Sequence, residues 1–552
     1  ACAKHFAAYG AAEGGRDYNT VSIPETELRN IYLPPFEAAV DAGAASLMSS
    51  FNEINGIPAS AHPVLLTAIL RNEWDFDGFV VSDWESVTEM IAHGFSEDDR
   101  AAARQAVAAG LDMDMMSRAY AGNLADLVSA GEVAEQVIDA AVTRILRIKY
   151  RLGLFDQPYR DPNATPGESS DDSMKIARRL AVESAVLLRN EGAVLPLGGN
   201  VGRVAVIGPL ADAPHEQLGT WSFDGRSEDS VTPLAELRRR LGPRVEYAPG
   251  LKHSRSTSRD GFPAALQAAS DADVVVFFGG EEAILSGEAH SRADLDLPGA
   301  QPELIAELAR TGKPIVLVLL AGRPLTVHAI LEEVDALLMA WHPGTMGGPA
   351  MVDLLLGVAS PSGRLPVTWP KAVGQVPIYY NHKNTGRPPE LEKMIAIEDI
   401  PVGAWQSSLS NTSYYLDIGM HPEFPFGFGL TYSTFEYSDL EVIPREASPG
   451  QPIHISATVT NSGTRAATEI VQLYIRDLVG SRTRPVRELK GFERIEVQPG
   501  VSRRVRFELS QDDLAFFNGK AWVTELGEFE VWVAPDATSG IQGAFRIGSS
   551  AK

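Results

Sequence analysis

A carboxylate follows directly after an apolar, β-branched segment in Val80-Val81-Ser82-Asp83-Trp84. A strand-terminal Asp often serves only as the N-cap of the next helix, so its position alone leaves a structural role open. The adjacent Trp84 favours chemistry, because an indole face beside a carboxylate is how proteins hold the apolar face of a sugar ring. The pair therefore suggests a carbohydrate site at the end of this strand.

Further side chains near the start of the chain could contact sugar hydroxyl groups. Lys4 and His5 could donate to hydroxyls on adjacent carbons, although a salt bridge and a core histidine would explain them equally well. Arg16 could make another hydroxyl contact or a loop ion pair. Met48 and Phe51 alternate as strand residues do and could belong to the core.

Three glutamates, Glu281, Glu282 and Glu288, lie in a loop beyond a predicted strand at 272–279. Open α/β sheets bind ligands in the crevice at this end of their strands. Charged loop residues are usually only solvated, so each Glu alone is a weak candidate. However, two carboxylates flanking a cleft are what glycosidic bond cleavage requires, and a pairing with Asp83 across domains would supply them.

Composition and missing motifs exclude several other function classes. The sequence has no G-x-S-x-G, P-loop, G-x-G-x-x-G or H-E-x-x-H motif. Its 48 Lys+Arg and 72 Asp+Glu give a net charge of −24, which excludes a nucleic-acid binder that works by phosphate neutralisation. The longest aliphatic run, 315–321, is far shorter than the roughly 20 residues of a spanning helix. A single cysteine, Cys2, excludes an internal disulfide and a cysteine metal cluster.

The elements that must position these residues form three territories. In the first, up to about residue 155, strands alternate with amphipathic helices, which predicts a parallel sheet. The strands are predicted at 3–9, 45–51, 78–84 and 110–116, and helices at 25–42 and 62–73. These are about four βα units, whereas a closed (β/α)8 barrel needs eight, so the territory is an open sheet or half a barrel.

The second and third territories differ in their hydrophobic period. After a linker and a helix that runs to Leu195, continuous apolar runs predict buried strands. These strands are predicted at 203–208, 272–279, 314–320 and 335–341, and helices at 302–310 and 346–356. From about residue 435 the period becomes two, at 453–460, 469–476, 503–509 and 528–534, which is typical of a small β-sandwich.

Motifs in fixed order along nearly the whole chain resemble glycoside hydrolase family 3, and within it the three-domain bacterial periplasmic β-glucosidases. They are KHFAAYG at 4–10, SFNEING at 50–56, VSDW at 81–84, GEAHSR at 287–292, LP at 297–298 with Gln301, GRP at 322–324, PSGRLP at 361–366 and YSTF at 432–435. The resemblance implies a TIM-like barrel, an (α/β)6 sandwich and a fibronectin type III-like domain, with the active site between the first two. We expect the C-terminal half of the barrel at 1–156, a linker at 157–185, the sandwich at 186–395, a wrapping segment at 396–434 and the last domain at 435–552.

The same resemblance assigns roles to individual residues. Asp83 matches the family's nucleophile, and Glu288 matches its general acid/base, whereas Glu281 and Glu282 do not align with that residue. At Phe51 many relatives carry a tyrosine whose hydroxyl approaches the nucleophile, a contact that phenylalanine cannot make. The other positions match residues that line the sugar pocket: Lys4, His5, Arg16, Met48 and Trp84. The implied chemistry is retaining hydrolysis, which needs no metal or organic cofactor.

The resemblance also implies a substrate and a setting. The motif at 4–10 continues Ala-Ala-Tyr and Glu288 is present, which favours a β-glucosidase or β-xylosidase over a β-N-acetylglucosaminidase. We expect an exo-acting β-glucosidase of oligosaccharides or aryl glucosides, in the periplasm or secreted, with a homodimer as one option and no nucleic-acid or membrane partner. Roughly 150–200 further residues before Ala1 would supply the other barrel units. The alternatives are a β-xylosidase and a non-catalytic sugar-binding chain.

Overall fold

The computed structural model describes residues 1–161, 170–406 and 411–549. Contacts separate two compact units, one made of the N-terminal residues with Phe516–Val523, the other of the remaining chain. Residues 162–169 of the predicted linker, 407–410 of the predicted wrapping segment and 550–552 lie outside the described residues. No helix in the described ranges is long and apolar enough to cross a membrane.

A three-stranded parallel sheet lies at the centre of the N-terminal unit. Its order is β1-β2-β5, and the short strands β3 and β4 form a separate antiparallel pair. The strands are β1 (Cys2–Phe6), β2 (Ser46–Ser49), β3 (Glu53–Ile54), β4 (Ile57–Pro58) and β5 (Phe79–Val81). Register places Met48 of β2 opposite Val81 of β5, so the residues that follow these strands emerge at one edge of the sheet.

Helices pack against this sheet through a core that includes Phe6, Leu47, Leu66 and Val80, all 0% exposed. The helices are α1 (Glu25–Glu27), α2 (Pro34–Asp41), α3 (Asp99–Ala109), α4 (Ala119–Ser129) and α5 (Glu135–Arg151), with π-helical turns at Leu28–Tyr32 and Val64–Glu73. The predicted helices at 25–42 and 62–73 are therefore present, although π-helical turns make up much of both.

The predicted strand at 110–116 is wrong, because only a single bridge, between Val81 and Met113, forms there. The cause is Asp112. Its carboxylate accepts a hydrogen bond from the Val80 amide of β5 at 2.8 Å, so this amide does not pair with a backbone carbonyl of the predicted strand. Arg71 and Arg144 pair with the same carboxylate at 2.6 and 2.8 Å. Burial raises the pKa of Asp112 and lowers that of Arg71 to about 10.

A six-stranded sheet, β6-β11-β10-β9-β7-β8, organises the first part of the second unit, with β6 antiparallel and its neighbours parallel. The strands are β6 (Val186–Asn190), β7 (Val204–Ile207), β8 (Val245–Ala248), β9 (Val274–Gly280), β10 (Ile315–Leu320) and β11 (Ala336–Met339). Helices cover both faces: α6 (Asp171–Ser184), α7 (Pro233–Leu241) and α10 (Gly347–Leu356) on one, α8 (Phe262–Ser270) and α9 (Gln301–Ala309) on the other. Burial on both faces explains why the central strands are continuous apolar runs.

Two features of this sheet depart from the sequence prediction. The helix expected to run to Leu195 ends at Ser184, and the chain turns into β6 at Ala185, which is extended with φ −66° and ψ 135°. Strand β8 was not predicted at all. Both missed strands lie at the outer positions of the sheet, where residues are less completely buried and the apolar signal is weaker.

The C-terminal part of this unit is a β-sandwich of two antiparallel layers, β12-β14-β17 and β13-β21-β20-β15-β16, in which β13 alone pairs in parallel. Its elements are β12 (Phe435–Ile443), β13 (Glu446–Ala447), β14 (Ile453–Asn461), β15 (Ala467–Asp477), β16 (Glu488–Val497), β17 (Ser502–Leu509), α11 (Gln511–Leu514), β20 (Gly527–Ala534) and β21 (Ile541–Ile547). Between α11 and β20 the chain forms a separate hairpin of β18 (Phe516–Phe517) and β19 (Trp522–Val523). Alternate residues of β14 are buried between the layers, which is the period-two pattern of the sequence.

The hairpin of β18 and β19 belongs to the N-terminal unit rather than to the sandwich. Nδ2 of Asn30 donates to the Phe517 carbonyl at 3.0 Å, and Oδ1 of Asn30 accepts from the Phe517 amide at 2.8 Å. The Arg29 guanidinium lies 4.8 Å from the centroid of the Phe517 ring. Residues 487 positions apart in the sequence are thereby joined.

Candidate functional site

The structure gives Asp83 a buried carboxylate, with one oxygen held by a backbone amide and the other close to the His5 ring. Asp83 follows β5 and is 8% exposed. Its Oδ1 accepts a hydrogen bond from the Trp84 amide at 2.7 Å. Its Oδ2 is buried, lies 3.1 Å from Nε2 of His5 and accepts no hydrogen bond from the residues that the structure describes. An oxygen with unused lone pairs, in a fixed carboxylate, is suited to attack an electrophilic carbon.

Backbone hydrogen bonds fix the turn that presents Asp83. The Ser82 amide donates to the Met113 carbonyl at 2.9 Å, and the Met115 amide donates to Oγ of Ser82 at 2.8 Å. The Glu85 amide, which follows Asp83 by two residues, donates to the Met115 carbonyl at 2.9 Å. The single bridge after α3 thus continues as a set of contacts that holds the Asp83 turn.

A chain of three buried hydroxyls lies behind the same turn. Oγ of Ser86 is 2.8 Å from Oγ of Ser60, which is 2.9 Å from Oγ of Ser49 at the end of β2. The Ser86 amide also donates to the Asp83 carbonyl at 3.2 Å. These hydrogen bonds link the turn to β2, so the position of Asp83 depends on two neighbouring strands.

Aromatic rings extend from the Asp83 carboxylate along one side of the sheet. The His5 ring lies 5.0 Å from that of Tyr9, which lies 6.3 Å from Phe51, and Phe51 contacts Tyr18 at 5.1 Å. The Tyr9 ring therefore lies between those of His5 and Phe51. His5 and Phe51 were candidate residues in the sequence, whereas Tyr9 was not. Tyr9 also donates a hydrogen bond from its hydroxyl to Asp17 at 2.5 Å.

The remaining predicted pocket residues of this unit occupy different environments. Trp84 is 53% exposed directly beside Asp83, and Met48 is partly buried on β2. Lys4 is exposed next to His5. Arg16 is exposed, and its Nε donates to the Glu13 carbonyl at 3.4 Å. His5, Trp84 and Asp83 are thus brought together by direct contacts, whereas Lys4 and Arg16 lie as exposed cations on neighbouring segments.

The three glutamates after β9 have three different environments. The side chain of Glu281 is 0% exposed and pairs with Arg292 at 2.5 Å. Glu282 is partly buried and accepts from Oγ of Ser254 at 2.7 Å. Glu288 is exposed, seven residues after Glu281 in the sequence. Only Glu288 therefore has the accessibility that proton exchange with a substrate requires.

An aromatic pair that the sequence analysis missed lies beside this loop. Trp221 and Phe223 are 57% and 86% exposed, with ring centroids 6.1 Å apart in an edge-on arrangement. The hydroxyl of Thr220, next to Trp221, donates to the Ala283 carbonyl of the glutamate loop. The available signal was two aromatic residues close together in a polar stretch, since exposed apolar groups that lie side by side often mark a binding site.

Across the described ranges, no group of three His, Cys, Asp or Glu side chains has the arrangement to hold a metal ion. The expectation of a metal-free and cofactor-free site rests on the chemistry inferred from the sequence.

Family models match three parts of the chain. They are the glycosyl hydrolase family 3 N-terminal domain over residues 1–148, the family 3 C-terminal domain over 185–432 and a fibronectin type III-like domain over 469–537. The predicted combination of a barrel-like domain, an α/β sandwich and a fibronectin type III-like domain is confirmed by these matches and by the structural likeness below.

Relatives match nearly the whole chain. A periplasmic β-glucosidase of Salmonella typhimurium is 39% identical over 99% of this chain and 73% of its own length. A putative β-xylosidase of Formosa agariphila is 34% identical over 99% of this chain and 70% of its own. The crystal structure of a β-glucosidase from Listeria innocua in complex with glucose is 39% identical, with a TM-score of 0.93 over 99% of this chain and 74% of that one.

Proposed function

Because the chain belongs to glycoside hydrolase family 3, we propose that it is a retaining, exo-acting β-glucosidase. Its substrates are the terminal, non-reducing β-D-glucosyl residues of oligosaccharides or aryl glucosides. The observation that carries the proposal is the Asp83 carboxylate, whose Oδ1 is held by the Trp84 amide at 2.7 Å and whose Oδ2 lies 3.1 Å from Nε2 of His5. Relatives named β-glucosidase support the choice of sugar.

The proposed reaction has two steps and uses two carboxyl groups, those of Asp83 and Glu288. In the first step Oδ2 of Asp83 attacks the anomeric carbon and the bond to the leaving oxygen breaks, while Glu288 gives that oxygen its proton. In the second step the Glu288 carboxylate takes a proton from water, whose oxygen attacks the same carbon and releases Asp83. Two inversions return the sugar with its β configuration.

The neighbouring side chains are proposed to bind the sugar. Lys4 and His5 donate hydrogen bonds to its hydroxyls, and Arg16 adds a further donor. The exposed indole of Trp84 covers the apolar face of the ring, as its place beside the nucleophile supports. Met48 and Phe51 complete the apolar lining; Phe51 has no hydroxyl, so any hydrogen bond to the nucleophile in this protein comes from elsewhere.

Substitution of the nucleophile tests the proposal. We expect Asp83→Asn to lower kcat for an aryl β-glucoside by at least about 10³-fold, because the covalent intermediate can no longer form. The matched control is Asp77→Asn, which changes a half-exposed carboxylate that pairs with Arg151 at 2.6 Å in the same unit. Activity of Asp83→Asn equal to that of the control would exclude Asp83 as the nucleophile.

The acid/base role of Glu288 has a separate test. We expect Glu288→Ala to retain hydrolysis of substrates with activated leaving groups, because these need no proton to depart. Added azide should then raise the turnover and give β-glucosyl azide, since the small anion fills the space and needs no general base. A variant that azide does not rescue would contradict the assignment.

The second candidate function is β-xylosidase activity, which the relatives of that name in Formosa agariphila favour. Comparison of kcat/KM for 4-nitrophenyl β-glucoside and β-xyloside decides between the two sugars. Hydrolysis of neither substrate by the purified full chain would favour a non-catalytic sugar-binding function.

The cellular setting and assembly are also proposals. A periplasmic or secreted location is supported by the periplasmic relative from Salmonella typhimurium and is tested by fractionation of the source cells. The homodimer stays a prediction, which light scattering of the purified protein tests. The predicted domain limits at 156, 185, 395 and 434 stay predictions; limited proteolysis tests the first of them, where the chain is exposed.

A further inference from the structure

Glu281 is a buried acid at the start of the loop that carries Glu288. Its side chain is 0% exposed, and its amide donates to the Leu320 carbonyl at the end of β10. One carboxylate oxygen lies 2.5 Å from Nη1 of Arg292, and the other lies 3.2 Å from Nε of Arg323. Oγ of Ser286 donates to this second oxygen at 3.0 Å. Two cations and a hydroxyl are thus gathered around one carboxylate.

The two arginines held by Glu281 in turn bind the backbone of the loop. Nη2 of Arg323 donates to the Leu285 carbonyl and, at 3.0 Å, to the His290 carbonyl. These two carbonyls lie on either side of Glu288 in the sequence. Nη2 of Arg292 donates to the Asp296 carbonyl at 2.9 Å. The backbone of the loop is therefore held before and after Glu288 by the guanidinium groups that Glu281 neutralises.

Apolar packing offers this loop little alternative support. From residue 284 to residue 296 no side chain is fully buried, and Ile284 is 49% exposed. A segment with few buried apolar contacts opens easily unless polar contacts hold it. Removal of one partner from a buried ion pair is costly, because the remaining charges stay desolvated without compensation. The conformation of the loop therefore depends on polar contacts, and the ones on either side of Glu288 include those of the arginine that Glu281 neutralises.

We propose that Glu281 is the positioning residue for the general acid/base: it holds Arg292 and Arg323, which fix the backbone on both sides of Glu288 at the geometry needed for proton transfer. The inference rests on the proposed function of Glu288. Glu281 itself contacts no substrate. Its loss should therefore resemble a weakened general acid rather than a lost nucleophile or a lost sugar contact.

Leaving-group dependence separates this role from a general structural one. In the wild type, kcat/KM for aryl β-glucosides should change little as the leaving-group pKa rises from about 4 to about 10, because the acid protonates poor leaving groups. For Glu281→Gln we expect a loss of less than about threefold with 2,4-dinitrophenol as leaving group and of about 10–100-fold with phenol, since general acid catalysis contributes about 10²–10⁴-fold. A merely destabilised protein would lose activity equally on both substrates.

Two further variants keep the test decisive. Glu469→Gln removes another buried carboxylate of the same unit, which pairs with Arg364 at 2.8 Å, and should leave the leaving-group dependence unchanged. Ser286→Ala removes the hydrogen bond to Glu281, together with one from the Gly322 amide at 3.1 Å, from a partly buried position and should fold; we expect several-fold losses on phenyl glucoside alone. If Glu281→Gln does not fold, the result for Ser286→Ala decides.

The outcomes distinguish this inference from the function on which it rests. A folded Glu281→Gln with the wild-type dependence, beside a Glu288→Gln that is steeply dependent, overturns only the positioning role. A Glu288→Gln without any leaving-group dependence overturns the proposed acid/base and the inference with it.

Discussion

The attachment of the β18–β19 hairpin depends on one amide side chain, and its removal has a calculable effect. In Asn30→Ala the Phe517 carbonyl and the Phe517 amide both lose their partner, at contacts of 3.0 and 2.8 Å. The bond from Nδ2 of Asn30 to the Thr26 carbonyl, at 2.6 Å, is lost as well, but it lies within the preceding turn. The perturbation therefore removes two hydrogen bonds from the hairpin and none of its ring contacts.

Each of these bonds contributes about 1 kcal/mol net, so the free energy of hairpin opening should fall by about 2 kcal/mol. A difference of that size is about 30-fold in an opening equilibrium. The hairpin should remain attached in most molecules, because Phe517 stays 7% exposed beneath the Arg29 guanidinium. We therefore expect faster local opening without loss of the fold.

Hydrogen exchange of peptides that cover residues 516–523 measures this opening. Under conditions where exchange follows the opening equilibrium, the Phe517 amide should exchange about 30-fold faster in Asn30→Ala than in the wild type. The matched control is Asn123→Ala, which removes a side-chain bond of 2.9 Å within α4 and should leave these peptides unchanged. Equal exchange of the hairpin in Asn30→Ala and the wild type would refute the reasoning.

Three further predictions concern the second unit. Gly208 has φ +104°, and a Cβ added there would lie 2.1 Å from a backbone oxygen of β9. Gly208→Ala should therefore lower the free energy of unfolding in denaturant by at least about 2 kcal/mol. The control Gly199→Ala, whose Cβ would meet no atom within 4 Å, should lower it little. Hydrogen bonds from Arg239 lower the pKa of Glu236. The stability that the ionised Glu236 contributes is therefore present above about pH 4.3 and is lost as the pH falls. The melting temperature should drop less between pH 7 and pH 3.5 in Glu236→Gln than in the wild type. Trp221→Ala should raise KM about tenfold for disaccharides but little for 4-nitrophenyl glucoside, if this exposed ring holds the leaving sugar; equal effects on both substrates would contradict that role.

Burial on both faces made the centre of the six-stranded sheet predictable. Strands β9 and β10 are continuous apolar runs, and such runs of six or seven residues have few other stable structures in a soluble protein. The edge strand β6 was not predictable in the same way. Its apolar residues continue the spacing of α6, and only its antiparallel pairing with β11, about 150 residues later, separates strand from helix.

The candidate site was predictable where its chemistry lies in short segments. Residue types along the chain singled out Asp83 with Trp84, whereas only the resemblance to the family separated Glu288 from Glu281 and Glu282; the roles of both carboxylates stay proposals. The burial of Glu281 was not predictable, because its partner Arg323 lies 42 positions away and a loop Glu is usually solvated. Asp112 shows the opposite case, in which a side chain replaced a backbone partner and a predicted strand did not form.

The hairpin also sets an order of events during synthesis. The surface around Asn30 emerges early, whereas the strands that cover it begin at Phe516, 365 residues after the end of α5 at Arg151. At about 5–20 residues per second, the N-terminal unit would wait roughly 20–70 s on the ribosome before its last two strands exist. During that interval the Asn30 amide and the Arg29 guanidinium lack their contacts with Phe517, so the N-terminal unit gains these contacts only late in synthesis.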